Sequence, residues 1–330
     1  MALLDLVRPR VTELGKIKIG GKDEKVRQSK GGGTWRAPKK LDHFLITGMA
    51  RTEAGDLVQD IELMDRLAQK HADADGKLRK LPIILCSNDI EDIMQARYVW
   101  YGGKRVAGRS DGKTVVWYGN PKTMKFRNEG PIEEPWKDEY LDLAGPNGSK
   151  LFKLHSVFNC MIASDVARWG GLYKFRTTSR ITASQLLGSM MHIHQLTGGV
   201  LRGLPMQLVI RPMMVEPDGK PTKVFVVHCE LTGADLLAIR GCALELAKSE
   251  AENSRQLRTA QIEYRRLLSA PGEDETYEES TDVAEEFHPE TIDQEGVDQP
   301  APEEESQVGL DDFLGQENGS PDQKEAAADV

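Results

Sequence analysis

The sequence predicts an α+β protein: a β-rich domain with hairpins and a meander, a central helix, a long C-terminal helix and a disordered acidic tail. Three observations carry this reading. Residues 169–232 hold a strand, a helix and a long hairpin in succession. Residues 97–118 alternate in strand fashion between two glycine turns. From Pro271 onward the chain turns acidic and poor in apolar side chains, the composition of a segment that cannot bury enough surface to fold.

Within the central stretch, Leu172–Thr178 alternates as a strand does. Thr182–Leu196 places Leu186, Leu187, Met190, Met191 and His194 at helical spacing, and Gly198-Gly199 stops that helix. Leu204–Val215 and Thr222–Leu231 flank Pro217-Asp218-Gly219-Lys220. An Asp-Gly step supplies the positive φ that a tight hairpin turn needs.

Taken in order, residues 1–14 form a short amphipathic lead-in with no long apolar region, so no secretory signal is expected. The stretch 15–40 carries Lys16, Lys18, Lys22, Lys25, Arg27, Lys30, Arg36, Lys39 and Lys40 against Asp23 and Glu24. Lys16-Ile17-Lys18-Ile19 alternates, which puts both lysines on one solvent face of a strand. Gly31-Gly32-Gly33 breaks regular structure ahead of Trp35. Such a basic loop can follow a phosphate backbone while Trp35 stacks on a base, or Trp35 can return to the core. The spacing Gly15 to Lys22 resembles a P-loop, but Asp23 stands where a magnesium-binding Ser or Thr belongs, so nucleotide hydrolysis is not expected.

Leu41–Thr47 reads as a strand, Asp56–His71 as an amphipathic helix and Leu81–Cys86 as a buried strand. The meander turns at Gly102-Gly103 and Asp111-Gly112. It sets Tyr98, Trp100, Tyr101, Trp117 and Tyr118 beside Arg97, Lys104, Arg105, Arg109 and Lys113. Aromatics among cations compose a single-strand stacking platform; aromatics are also ordinary strand residues that pack across a sheet. Residues 119–150 read as a Pro- and Gly-rich loop or insertion with an acidic patch, and Leu151–Ile162 returns to strand.

After the hairpin, Thr232 and Asp235 have capping-box spacing and open a helix running to about Ala270. Its first half is expected to pack on the domain. Its second half carries Leu257, Ile262, Tyr264, Leu267 and Leu268 among Arg258, Arg265 and neighbouring arginines, either as a projecting docking strip or folded back. In the tail, Leu310, Phe313 and Leu314 sit at helical spacing as a candidate docking motif. The expected organisation is a core over 1–232 with 119–150 inserted, a helix over 233–270 and a tail over 271–330.

Charge is divided along the chain. The net charge is −9, yet residues 271–330 hold 21 acidic residues and one Lys, leaving the first 270 residues at +11. A basic body points to a polyanion partner. The tethered tail is expected to compete for that body. Catalysis is not expected. His192 and His194 are two apart on a helix and face different ways, His228-Cys229 is a strand dipeptide, and the four cysteines are scattered. No metal or cofactor is called for. No apolar run reaches the roughly 18 residues of a membrane span, and a cytoplasmic, reduced protein is expected.

GGLYKFRTTSRITASQLLGSM, followed by LTGGVLRGLPMQLVIRPMMVEPDGKPTKVFVVHCEL, resembles the phage and mobile-element family of recombination directionality factors that work with large serine integrases. GKIKIGGKDEKV and WRAPKKLDHFLIT are similar to that family's opening. The resemblance implies a non-enzymatic accessory protein that binds a DNA-bound serine integrase and favours excision over integration, meeting DNA directly or through the integrase. The residues alone leave a rival: a single-stranded-DNA-binding replication or recombination protein with an acidic regulatory tail.

Overall fold

The computed structural model describes residues 10–28, 34–53, 55–145, 148–166, 168–216, 219–233 and 235–252, then 262, 264, 267, 268, 270–273 and 275–288, with backbone alone at 22–28, 34–38 and 252. Among these residues twelve strands form a branched sheet. It opens with two long partners, β1 (Thr12–Gln28) and β2 (Thr34–Arg51). The start of β1 also pairs in parallel with β10 (Gly171–Thr177), from Thr12↔Gly171 to Ile17↔Phe175. From Gly20↔Lys40 to Gln28↔Thr34, β1 and β2 pair with each other as a two-stranded ribbon. Gly15 marks a register shift in β1; a Cβ there would sit 2.2 Å from the Thr47 carbonyl oxygen, so only glycine fits.

The order across the sheet is β3-β2-β1-β10-β9-β5-β6-β7-β8. Here β3 is Leu57–Gln59, β5 Met94–Gly102, β6 Arg105–Ser110, β7 Thr114–Trp117, β8 Ile132–Pro135 and β9 Lys153–Ile162. A second limb leaves the end of β9, where Met161 and Ile162 pair with β4 (Lys80–Ile84). It continues through β11 (Met206–Val215) to β12 (Thr222–Leu231), joined in the expected hairpin register with Val215 opposite Thr222.

Three helices from this part of the chain pack on the framework. Asp60 caps α1 (Ile61–His71), accepting from the Leu63 N–H at 3.2 Å, so the helix starts five residues later than the sequence suggests. A short α2 (Ile90–Ile93) leads into β5. Ser179 caps α3 (Arg180–Leu196), the central helix, which buries Leu186, Met190 and Ile193. The main core gathers these with Ile17, Phe44, Ile46, Leu67, Phe158, Tyr173, Phe175, Leu208 and Val227. Among the described residues no helix is long and apolar enough to cross a membrane.

Two expectations need correction. The insertion over 119–150 is built into the fold: β8 extends the meander, and Trp136 and Tyr140 pack with Trp100, Trp117 and Phe152 in a second cluster. Aromatic payload, hidden among prolines and glycines, anchors it. The helix expected after the hairpin is described as α4 (Leu236–Glu252) and is helical again at 262, 264 and 267; residues 253–261 lie outside the described residues. Finally, the segment after Pro271 is not wholly an unfolded tail, because α5 (Tyr277–Phe287) buries Val283 and Ala284 against the sheet. Residues 289–330, with Leu310, Phe313 and Leu314, lie outside the described residues.

Candidate functional site, a cationic sheet face under an acidic helix

Residues paired across a sheet share a face, and the face alternates along each strand. Ile46, Ile17, Phe175 and Phe158 lie in one paired row and point into the main core. Their neighbours therefore point the other way. On that second face lie Arg51 of β2, Lys16 and Lys18 of β1, and Lys174 and Arg176 of β10. Lys153 and His155 of β9 and Arg97, Val99 and Tyr101 of β5 continue the row, since Arg97 pairs with His155 and Val99 with Lys153. Arg109 of β6 pairs with Val99 and completes it. One face is oily and the other is a band of cations.

Helix α5 covers the band. Its start is locally encoded: the Thr276 side chain accepts from the Glu279 N–H at 3.2 Å, and the Glu279 carboxylate accepts from the Thr276 N–H at 2.9 Å. Val283, Ala284 and Phe287 then rest on Val99, Tyr101 and Val106. Around this apolar strip the carboxylates meet the cations. Asp282 takes Lys16 at 2.6 Å and both guanidinium nitrogens of Arg51 at 2.7 and 2.8 Å. Glu286 meets Lys18 at 3.1 Å, and Glu279 meets Arg10 at 3.4 Å. Before the helix, Glu273 approaches Arg97 at 3.5 Å and Arg109 at 3.7 Å, and the Tyr101 hydroxyl donates to Glu275 at 2.9 Å.

Burial shapes the acid–base character of the site. Lys16, 3% exposed, has its pKa lowered, first by burial and then by Arg176, while Asp282 pulls it back. Burial alone would raise Glu13, but two Arg176 contacts of 2.9 Å and Lys174 at 3.0 Å outweigh it and hold the carboxyl at about 2. Under the end of α5, His155 and its C-cap residue His288 stack with Nε2 atoms 2.8 Å apart, beside the Tyr101 ring.

The structure brings some sequence candidates together and disperses others. Lys16, Lys18, Arg97 and Arg109 share the covered face. Lys39 and Lys40 are exposed at the base of the ribbon. They line a cleft of about 550 Å³ with Lys18, Arg176, Glu285 and Glu286. The backbone sets Lys22, Arg27, Trp35 and Arg36 on the ribbon, with Arg27 opposite Trp35; Lys30 lies outside the described residues. Lys104 and Arg105 flank the β5–β6 turn, half-buried, and the Arg105 guanidinium lies 4.6 Å over the Phe126 ring.

Several candidates are corrected. Trp100, 2% exposed, points into the aromatic cluster and offers no stacking face. Tyr101, 1% exposed, points the opposite way and is closed off by α5. Lys16 is no solvent-facing lysine for the same reason. The distal docking strip is largely folded back: Tyr264 bonds to Cys86, Leu267 accepts from the Val11 N–H at 3.1 Å, and Leu267 and Leu268 are half-buried. Ile262 is exposed, and Leu257, Arg258 and Arg265 lie outside the described residues.

Sequence reasoning missed Arg51, Lys153, Lys174, Arg176, the two histidines and the carboxylates of α5. Tyr173-Lys174-Phe175-Arg176 repeats the Lys-Ile alternation of β1 and was the available signal. It also missed the outer side of α4. Ala243 is buried and Ile239 and Leu246 are half-buried, but Leu237 is 75% and Leu244 56% exposed, with Leu236 beside them.

No curated protein and no solved structure matches this chain. A family model described as Gp3-like, recombination directionality factor-like, matches residues 14–232, roughly two thirds of the chain. The match runs from β1 through β12 and contains most of the cationic face, whereas α4 and α5 follow it. The chain belongs to the Gp3-like family of recombination directionality factor-like proteins, and its role lies in DNA recombination.

Proposed function

We propose that the protein is a recombination directionality factor that binds a DNA-bound serine integrase and shifts it from integration towards excision. The family supports the recombination role and an integrase partner in general. The observation that supports direct protein docking is the bare side of α4. Leu237, Gly241 and Leu244 fall at i, i+4 and i+7, the spacing with which a helix lies in a partner's apolar groove. The factor acts by differential binding: it holds one arrangement of the DNA-bound integrase more tightly than the other, since equal affinity would shift nothing.

Leu237→Glu with Leu244→Glu should weaken capture of the cognate integrase by roughly thirtyfold or more, the loss of one interface hot spot of about 2 kcal/mol. Excision in a reconstituted assay should fall with it. Because both side chains are exposed, melting should move little. Undiminished capture by a folded double variant would remove α4 from the interface.

Action by binding, without chemistry, has its own check. Among the described residues no group of three or more His, Cys, Asp or Glu is placed to hold a metal ion. The purified protein should carry no stoichiometric zinc by elemental analysis, and should show no ATP turnover sensitive to Lys22→Ala. A second reading, single-stranded-DNA binding, draws support from the cationic face with Tyr101 at its centre.

A further inference from the structure

We propose that the cationic sheet face is a binding surface for the backbone of single-stranded nucleic acid, and that α5 occupies it as an intramolecular stand-in which the nucleic acid displaces. The assignment is independent of the integrase surface on α4.

The pairing itself is the first argument. Cations at 16, 18, 51, 97 and 109 come from the family-matched segment, whereas the carboxylates facing them come from 273–286, beyond it. Successive carboxylates on one side of a helix, such as Asp282 and Glu286, are about one 5.4 Å turn apart, a spacing of the order of that between neighbouring phosphates on an extended strand. The second argument is what α5 hides. Lifting it uncovers Tyr101, flanked by Val99, Val106 and His155 and bordered by Arg97 and Arg109. A ring set in a sheet with cations at its margins takes bases by stacking and phosphates by charge.

The third argument chooses the occupant. An acidic helix from another protein would be satisfied by the face under α5. The positive surface continues past it, through the cleft to exposed Lys39 and Lys40 at the base of the ribbon, and of the carboxylates lining that cleft all but Asp56 belong to α5 itself. A long polyanion uses that whole track; a short helix does not.

With α5 in place, apparent affinity is reduced by the fraction of molecules in which it is displaced; displacement in about one molecule in ten gives a tenfold deficit. The test uses the full chain and a fluorescein-labelled oligothymidylate, read by anisotropy. Glu278→Gln, Asp282→Asn and Glu286→Gln together should tighten binding roughly tenfold or more at about 50 mM salt. For four phosphate contacts at a slope of about 0.7 each, that affinity should fall on the order of fiftyfold by about 200 mM. Adding Lys18→Gln and Arg109→Gln should undo the gain. Should the triple variant fold poorly, the unaltered protein still decides: saturating oligonucleotide should abolish hydrogen-exchange protection of the α5 amides. Unchanged affinity in a folded triple variant, or α5 amides that stay protected, would overturn the proposal. So would capture of a 275–288 peptide in trans by the triple variant without any oligonucleotide binding, which would assign the face to a protein helix. Integrase capture through Leu237 and Leu244 should be untouched by these substitutions, so either reading can fail without the other.

Discussion

Glu13→Ala should lower folding stability by about 3–5 kcal/mol, the loss typical of removing one partner from a buried ion pair. Glu13 is enclosed, and it neutralises the Arg176 guanidinium bidentately while also taking Lys174. Without it, two cations on adjacent positions of β10's covered face repel each other and Lys16 nearby. For a domain of this size the shift is roughly 10 °C in Tm, at about 2–4 °C per kcal/mol. The sign with pH follows from the depressed carboxyl: its contribution is complete above about 4.5 and is lost as pH falls towards about 2. Chemical denaturation at neutral pH measures the effect. A loss below about 1 kcal/mol, the worth of a surface pair, would show that water reaches the triad.

The second large effect is acid release of α5. Burial, then Lys153 and Arg176, push His155 down to about 3. Burial, then His155 and Lys153, hold His288 well below its usual value. Tyr101 and, through its hydroxyl, Glu275 are the other titratable groups facing the pair. Both imidazoles stay neutral in the folded protein while the unfolded chain takes up protons below about pH 6.5. Stability is therefore intact above that pH and declines as pH falls. Each imidazole costs about 1.4 kcal/mol per pH unit, or about 4 kcal/mol for the pair at pH 5. Because His288 caps α5, that helix should detach before the rest unfolds, seen as early hydrogen exchange at 279–288. His155→Phe with His288→Leu should flatten the dependence between about pH 5 and 7. A wild-type protein already flat across that range would show that the imidazoles keep their protons in the folded state.

How far the sequence could be read depended on distance along the chain. The strand, helix and hairpin of 172–231 are set by local periodicity and local turns, and they stand as read. The lysine face of β1 was also legible, because alternation at Lys16-Ile17-Lys18-Ile19 is a property of four residues. What lay opposite was not. Asp282 is 266 residues from Lys16, and a composition that favours disorder in isolation does not register cations waiting elsewhere. The cue for α5 was the capping box at Thr276 and Glu279, followed by Val283, Ala284 and Phe287. Trp100 and Tyr101 teach the same lesson within one strand. Consecutive residues serve opposite faces: Tyr98 and Trp100 join the second aromatic cluster and Tyr101 the cationic face, so counting aromatics near cations overstated the platform.

The distance between β10 and α5 also has a consequence in time. β10 ends at Thr177 and α5 begins at Tyr277. At about 5–20 residues per second, a ribosome needs roughly 5–20 s to make the intervening chain. For that interval β1, β2, β5, β6, β9 and β10 have all been synthesised, and Glu13 is the carboxylate at hand for Lys174 and Arg176. Lys16, Lys18, Arg51, Arg97 and Arg109 meet their own carboxylates only when residues 273–286 emerge. The nascent chain thus passes through a stage of higher positive charge than the finished protein, beside ribosomal RNA, and α5 is the segment that ends it.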